Sequence, residues 1–256
     1  MVASSGTVPV AQSLSPHDYS QFSSQYSQLK IEKSYFLAFR AAAELLEKHC
    51  RIGTKLLDFG CGTGRSTRFM KTLGFESTGV DISQDMLEQA RQADQGEYCW
   101  LESTKIPFPE RSFDVIFQSF VLLEYSSLSQ MVDTFEEFNR VLQDDGIAII
   151  VTGSEDYYRN DWLSFKMGES DENGHENVRP MTSGDKVKVA ITDTDIVLFD
   201  YVWTNSDYQQ VFQKSGFDVI DMVSPLAQGN EPFEWVNECE VPCWTIYVLK
   251  KQSANP

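Results

Sequence analysis

The residues with the clearest chemical meaning are Asp58, Gly60, Gly62 and Gly64, in the run LLDFGCGTG from Leu56 to Gly64. Leu56-Leu57 reads as the end of a buried strand, and RSTRFMKTLG from Arg65 reads as a helix. A strand that turns through glycines into a helix presents backbone N–H groups to a ligand with no side chain in the way. The spacing is not the G-x-G-x-x-G of a dinucleotide loop, because Arg65 holds the third position and the last glycine falls one residue early. An acid also precedes the loop. A carboxylate at the loop mouth opposes a pyrophosphate and favours a ligand that carries an ammonium group.

Asp81 closes the next strand, where an acid can accept hydrogen bonds from both hydroxyls of a ribose. Glu102 follows the third strand and can take an adenine amino group, with the N–H of Ser103 serving a ring nitrogen. Ile82 and Met86 can sandwich the adenine face. Downstream lies a concentration of aromatic and acidic residues: Glu155, Asp156, Tyr157, Tyr158, Asp161 and Trp162, then Asp200, Tyr201 and Trp203, and later Phe233, Glu234 and Trp235. Aromatic walls with a few carboxylates suit an aromatic or amine-bearing small molecule. Tyr157, Tyr158, Trp162, Tyr201, Trp203 and Trp235 are the expected substrate contacts. Glu155, Tyr201 and His175 are the candidate proton acceptors, although His175 sits in a Gly- and Glu-rich loop that better suits a solvated histidine. No Ser-His-Asp or Cys-His arrangement supports hydrolysis. Cys239 and Cys243 lack the paired His or Cys of a metal site, so no metal is expected.

The elements that must hold these residues alternate. Strands are expected at Lys55–Phe59, Phe75–Val80, Glu97–Leu101, Phe113–Ser119 and Gly146–Thr152. Helices fall between them at Arg65–Leu73, Gln84–Ala93 (which Ser83 can cap) and Met131–Leu142. Such units imply an α/β fold with a parallel sheet and right-handed crossovers. Residues 1–18 read as a flexible tail, 19–52 as an N-terminal helical cap and 53–256 as the main domain. An insertion at about 154–203, irregular over 155–188, lies inside that domain, and Ile196–Trp203 reads as a strand. Asn205–Ser215 reads as a helix ended by Gly216, and Phe217–Val223 and Trp244–Lys250 as the last strands.

Composition narrows the partners. The net charge is −17, which argues against nucleic acid and anionic membranes, since both call for clustered Lys and Arg. No apolar run of about 18 residues is present to span a membrane, and the N-terminus does not have the form of a signal peptide. The 5 cysteines suit reduced thiols in a cytoplasmic protein.

In register, these pieces resemble the class I S-adenosylmethionine (SAM)-dependent methyltransferases from about Leu56 to Thr152. The loop, Asp81, Glu102-Ser103, the ProPhe, SerPheAsp and ValIle pieces of 107–125, and Arg140-Val141-Leu142 with Gly146 carry the resemblance. It implies a Rossmann-like sheet of seven strands with the last antiparallel. It also implies SAM contacts at Asp58, Gly60, Gly62, Asp81, Ile82, Glu102, Ser103 and Ser119, with Met86 beside the adenine. Tyr26 resembles the N-terminal tyrosine that closes over the methionine end in relatives, although Tyr19 and Tyr35 compete for that role. The expected activity is methyl transfer by in-line displacement to N or O of a small molecule, by a monomer or homodimer. A non-catalytic SAM-binding regulator is the alternative. An NAD(P)-dependent oxidoreductase is opposed by Arg65 and by the lack of a Tyr-x-x-x-Lys pair.

Overall fold

Apolar residues alternate along the central strands, so each strand feeds two cores at once. In β1 (Lys55–Phe59), Leu56 packs on one side of the sheet and Leu57 on the other. In β5 (Leu142–Gly153), Ile147, Ile149 and Val151 face one core and Ala148 and Ile150 the second. The computed structural model describes residues 19–168 and 181–253. The expected tail at 1–18 and the candidate His175 lie outside the described residues.

The main sheet has 7 strands in the order β3-β2-β1-β4-β5-β10-β9. They include β2 (Glu76–Asp81), β3 (Glu97–Trp100), β4 (Phe113–Ser119), β9 (Phe217–Val223) and β10 (Trp244–Lys251). All neighbours pair parallel except β10, which runs antiparallel to both β5 and β9. This is the Rossmann-like arrangement, with β1 and β4 at the switch point where ligands gather beyond the strand ends. On one face, α2 (Ser34–His49) and α3 (Arg65–Thr72) bury Leu37, Leu45, Leu46 and Met70. On the other, α5 (Leu128–Val141) and α6 (Asn205–Lys214) bury Phe135, Phe138, Val211 and Phe212. α4 (Gln84–Ala93) begins where expected, with the Ser83 hydroxyl accepting from the Met86 N–H.

Two departures bear on the site. The helical stretch expected from Tyr19 is broken: a 3-10 turn at Tyr19–Phe22 and the short α1 (Ser23–Tyr26) precede α2, with Lys33 at φ 55° between them. The insertion is also more ordered than its composition suggests. β6 (Phe165–Met167), β7 (Lys186–Ile191) and β8 (Val197–Tyr201) form a separate antiparallel sheet. It is fastened to the molecule through its inner side, because Phe165, Val187, Val189 and Ile191 join the same core as α2 and Trp244.

Candidate active site

A cavity of about 180 Å3 lies between the glycine loop that follows β1 and the inner side of the small sheet. The three loop glycines have different tasks. All have positive φ: +71° at Gly60, +52° at Gly62 and +79° at Gly64. A Cβ on Gly60 would sit 2.3 Å from Val121 Cγ2, and one on Gly64 would sit 2.5 Å from the Tyr98 hydroxyl. Those two are packing positions. At Gly62 no atom lies within 4 Å of where a Cβ would be, and Gly62 lines the cavity. The expectation of ligand-facing amides at these positions is corrected. The Gly60 and Cys61 N–H groups both donate to the Val80 carbonyl, at 2.9 and 3.0 Å, and Gly62 N–H donates to Asp81 Oδ2 at 2.7 Å. At these residues the loop supplies space rather than donors.

Asp81 ends β2 on the cavity wall, with its second oxygen accepting from the Ser83 N–H at 2.8 Å. Each oxygen keeps a further lone pair, since an ionised carboxylate accepts about four hydrogen bonds. Burial raises its pKa, and the backbone N–H groups of Ser83, Gly62 and Ile82 hold it down.

Asp58, expected to meet the ligand, is fully buried behind the wall. Its Oδ2 accepts from Ser66 Oγ at 2.7 Å and Thr67 Oγ1 at 2.6 Å, which ties β1 to the first turn of α3. Oδ1 is buried without a hydrogen-bond partner. Burial pushes the Asp58 carboxyl up to about 6 against the pull of those hydroxyls. A carboxyl raised in the folded state favours folding while it is protonated, and that stability is lost as pH rises from about 4 through about 6. The loss is on the order of 3 kcal/mol for a shift of about two pH units. Asp58→Asn should therefore flatten the pH dependence of denaturant-measured stability between pH 4 and 7, and an unchanged slope would refute this role.

The cavity is also lined by Tyr26, Tyr35, Phe120, Tyr157 and Trp244, and by three residues of the small sheet, Val189, Ile191 and Leu198. Three carboxylates reach the wall, Asp81, Glu124 and Asp200, against one cation, Arg65. The Arg65 guanidinium lies 4.2 Å from the centre of the Tyr35 ring, and burial lowers its pKa while Tyr35 and Tyr26 raise it. A wall with more acid than base is poorly suited to a diphosphate.

Of the residues expected from sequence, Tyr26, Gly60, Gly62, Asp81, Ile82, Met86, Ser119 and Tyr157 line this one cavity. The rest do not line it, each for a physical reason. Glu102 and Ser103 are exposed in the turn after β3, and buried Leu101 occupies that part of the wall. Tyr201 follows Asp200 on β8, so the pleat turns it away when Asp200 turns inward. Glu155 is exposed and accepts from the Asn205 N–H. Trp162 is a core residue whose indole donates to the Tyr157 carbonyl at 2.8 Å. Trp203 donates to the Tyr125 carbonyl and Trp235 to Glu231. Tyr158 is buried, with its hydroxyl donating to the Tyr201 carbonyl. Glu124, Phe120 and Trp244 were not among the expected residues. A usable signal existed for Glu124, which comes just after the β4 end where ligands bind.

A methyltransferase domain family matches residues 57–150, the stretch from β1 into β5 that carries the glycine loop and Asp81. The chain carries a class I SAM-dependent methyltransferase domain. Among similar proteins is an uncharacterized protein of Methanocaldococcus jannaschii, 25% identical over 202 residues, covering 79% of this chain and 75% of that one. A demethylmenaquinone methyltransferase of Tropheryma whipplei is 39% identical over 92 residues, 35% of this chain and 38% of that enzyme. A SAM-dependent methyltransferase of Clostridium acetobutylicum shares the fold, with a TM-score of 0.60 at 15% identity over 93% of this chain and 100% of that one.

SAM is the cofactor of this methyltransferase domain, and the residues present suit it. Gly62 leaves room against the loop, Asp81 has lone pairs for ribose hydroxyls, and Ile82 and Met86 offer an apolar slot for a flat ring. Arg65 can meet a carboxylate. Among the described residues, no helix is long and apolar enough to cross a membrane.

Proposed function

We propose that this protein moves the methyl group of SAM to a nitrogen or oxygen of a small organic acceptor, aromatic or amine-bearing. The observation that carries the reading is one cavity lined both by Gly62 and Asp81 and by aromatic rings and carboxylates from other elements. When bound, SAM supplies an activated methyl on a sulfonium together with its leaving group. The chain's task is to hold, align and dry the site. Asp81, Gly62, Ile82, Met86 and Tyr26 hold the cofactor, and the rings of Tyr35, Tyr157 and Trp244 orient the acceptor and exclude water. Glu124 and Asp200 are the carboxylates placed to receive a proton.

Calorimetry tests the reading. S-adenosylhomocysteine should bind in the micromolar range and NAD not at all. Asp81→Ala should weaken the first by about 1–3 kcal/mol, as expected for lost charge-assisted hydrogen bonds. A screen of amines and phenols should then release S-adenosylhomocysteine from SAM. Cofactor binding with no turnover from any acceptor class would leave only a SAM-binding role.

A further inference from the structure

The acceptor end of the cavity has a more definite chemistry than aromatic walls alone. Asp200 comes from β8 in the insertion, and Glu124 from the 3-10 turn after β4. Both line the cavity, one from the small sheet and the other from the turn that follows β4. Asp200 is 3% exposed, and Val189, Ile191 and Leu198 line the same wall. A carboxylate placed this way is costly unless something compensates it. Burial and the nearby Glu124 both raise the Asp200 pKa, and the Tyr158 hydroxyl is the group that opposes them. Among the described residues no basic side chain contributes. Arg65, the cation of the wall, lies over the Tyr35 ring and donates to the Lys30 carbonyl. Packing does not require an acid on the inner side of β8, so the compensation is assigned to the ligand.

We infer that the acceptor is a small basic amine, bound as its ammonium ion between Asp200 and Glu124 with the rings of Tyr35 and Tyr157 around it, and that Asp200 takes the proton that frees its nitrogen. The inference rests on the methyltransferase reading and names its acceptor class. Two carboxylates and several aromatic faces are the usual recognition of a cation. An ammonium has no lone pair, so it must lose a proton before it can attack. In that step an N–H bond breaks, an O–H bond forms on Asp200, and the electron pair stays on nitrogen as the nucleophile for the methyl group. Asp200 then returns its proton to solvent. A carboxylate at its ordinary pKa is a weak base toward an ammonium. Burial and Glu124 narrow that gap by raising the Asp200 pKa, against the pull of the Tyr158 hydroxyl.

The experiment is calorimetry on the full chain saturated with S-adenosylhomocysteine. It is titrated with benzylamine, phenethylamine and tyramine, and with 2-phenylethanol and phenylacetate as neutral and anionic counterparts. At least one amine should bind at least tenfold more tightly than both counterparts. The near-isosteric Asp200→Asn should reduce that binding tenfold or more, with the melting temperature and S-adenosylhomocysteine affinity held. Three results overturn the inference: no amine binds, the alcohol or acid binds as well as the amines, or Asp200→Asn leaves amine affinity unchanged. Failure of S-adenosylhomocysteine to bind the unaltered chain would instead remove the methyltransferase reading on which the inference stands.

Discussion

Gly62→Val should reduce S-adenosylhomocysteine binding by about 100-fold or more while the protein stays folded. The argument is local. With φ at +52° and no atom within 4 Å of its would-be Cβ, Gly62 is the loop glycine that faces open space rather than protein. A Cβ there meets no neighbour, so the cost to stability is chiefly backbone strain of about 1–2 kcal/mol. Its branched side chain would, however, stand in the cavity beside Asp81, which the Gly62 N–H holds at 2.7 Å. Few substitutions separate folding from binding so cleanly. Gly60→Ala would not serve, because its Cβ would fall 2.3 Å from Val121 Cγ2 and disturb the packing itself. Titration of the valine variant beside a melting curve checks the prediction. Binding within a factor of three of the parent would show that the ligand does not pass against this glycine.

The second large effect concerns stability. Glu238→Ala should lower the melting temperature by on the order of 10 °C, equivalent to roughly 3–5 kcal/mol for a chain of this size. Glu238 has 0% exposure and accepts four hydrogen bonds, from Ser34 Oγ at 2.6 Å, Leu163 N–H at 2.7 Å, Val236 N–H at 2.9 Å and Asn237 N–H at 3.1 Å. Ser34 in turn exchanges backbone and hydroxyl bonds with Ser164. Alanine would leave these donors facing a void, and a buried donor without a partner costs about 1–3 kcal/mol each when water cannot replace the acceptor. Glutamine would not repair the site, because its amide group would turn N–H toward N–H. A thermal midpoint within 2 °C of the parent would show that the surrounding backbone rearranges to satisfy itself.

The parts of the fold legible in the sequence were those specified by neighbouring residues. Ser83 marks the start of α4 because its hydroxyl needs only the N–H three residues on. β4 and β9 fall where runs of β-branched and aromatic residues place them. β5 extends beyond expectation to Leu142 because its pairing with β4 resumes across the exposed Asp144 and Asp145, which carry no strand signal. β7 alternates as KVKVAI, yet the pattern is short and lies beside Gly- and Pro-containing sequence that obscures it.

The site divides in the same way. Gly60, Gly62 and Asp81 sit within one strand–loop–helix–strand unit, so their meeting is implied by local order. Whether Asp200 or Tyr201 faces the cavity depends on the register of β8 against β7, and a shift of one residue reverses the answer. The role of Asp58 is not legible locally, because its partners, Ser66 and Thr67, come within reach only once α3 turns back over β1. Glu238 has no local signal at all, since Ser34 is 204 positions away in the chain.

The cofactor half of the cavity is built mainly from residues between β1 and β4, whereas Asp200, Leu198, Val189 and Ile191 arrive on one excursion between β5 and α6. The excursion thus brings its side chains to the cavity on a length of chain separate from the glycine loop, where they meet Glu124, Tyr35 and Trp244 from other elements. An ancestor could exchange the excursion for another and acquire a new acceptor without disturbing the grip on the methyl donor. Such an exchange would still have to bring its own matches for Ser34, Glu238 and Trp244, because these anchor the excursion to the rest of the fold. Those three positions are where inheritance of a foreign insertion would succeed or fail.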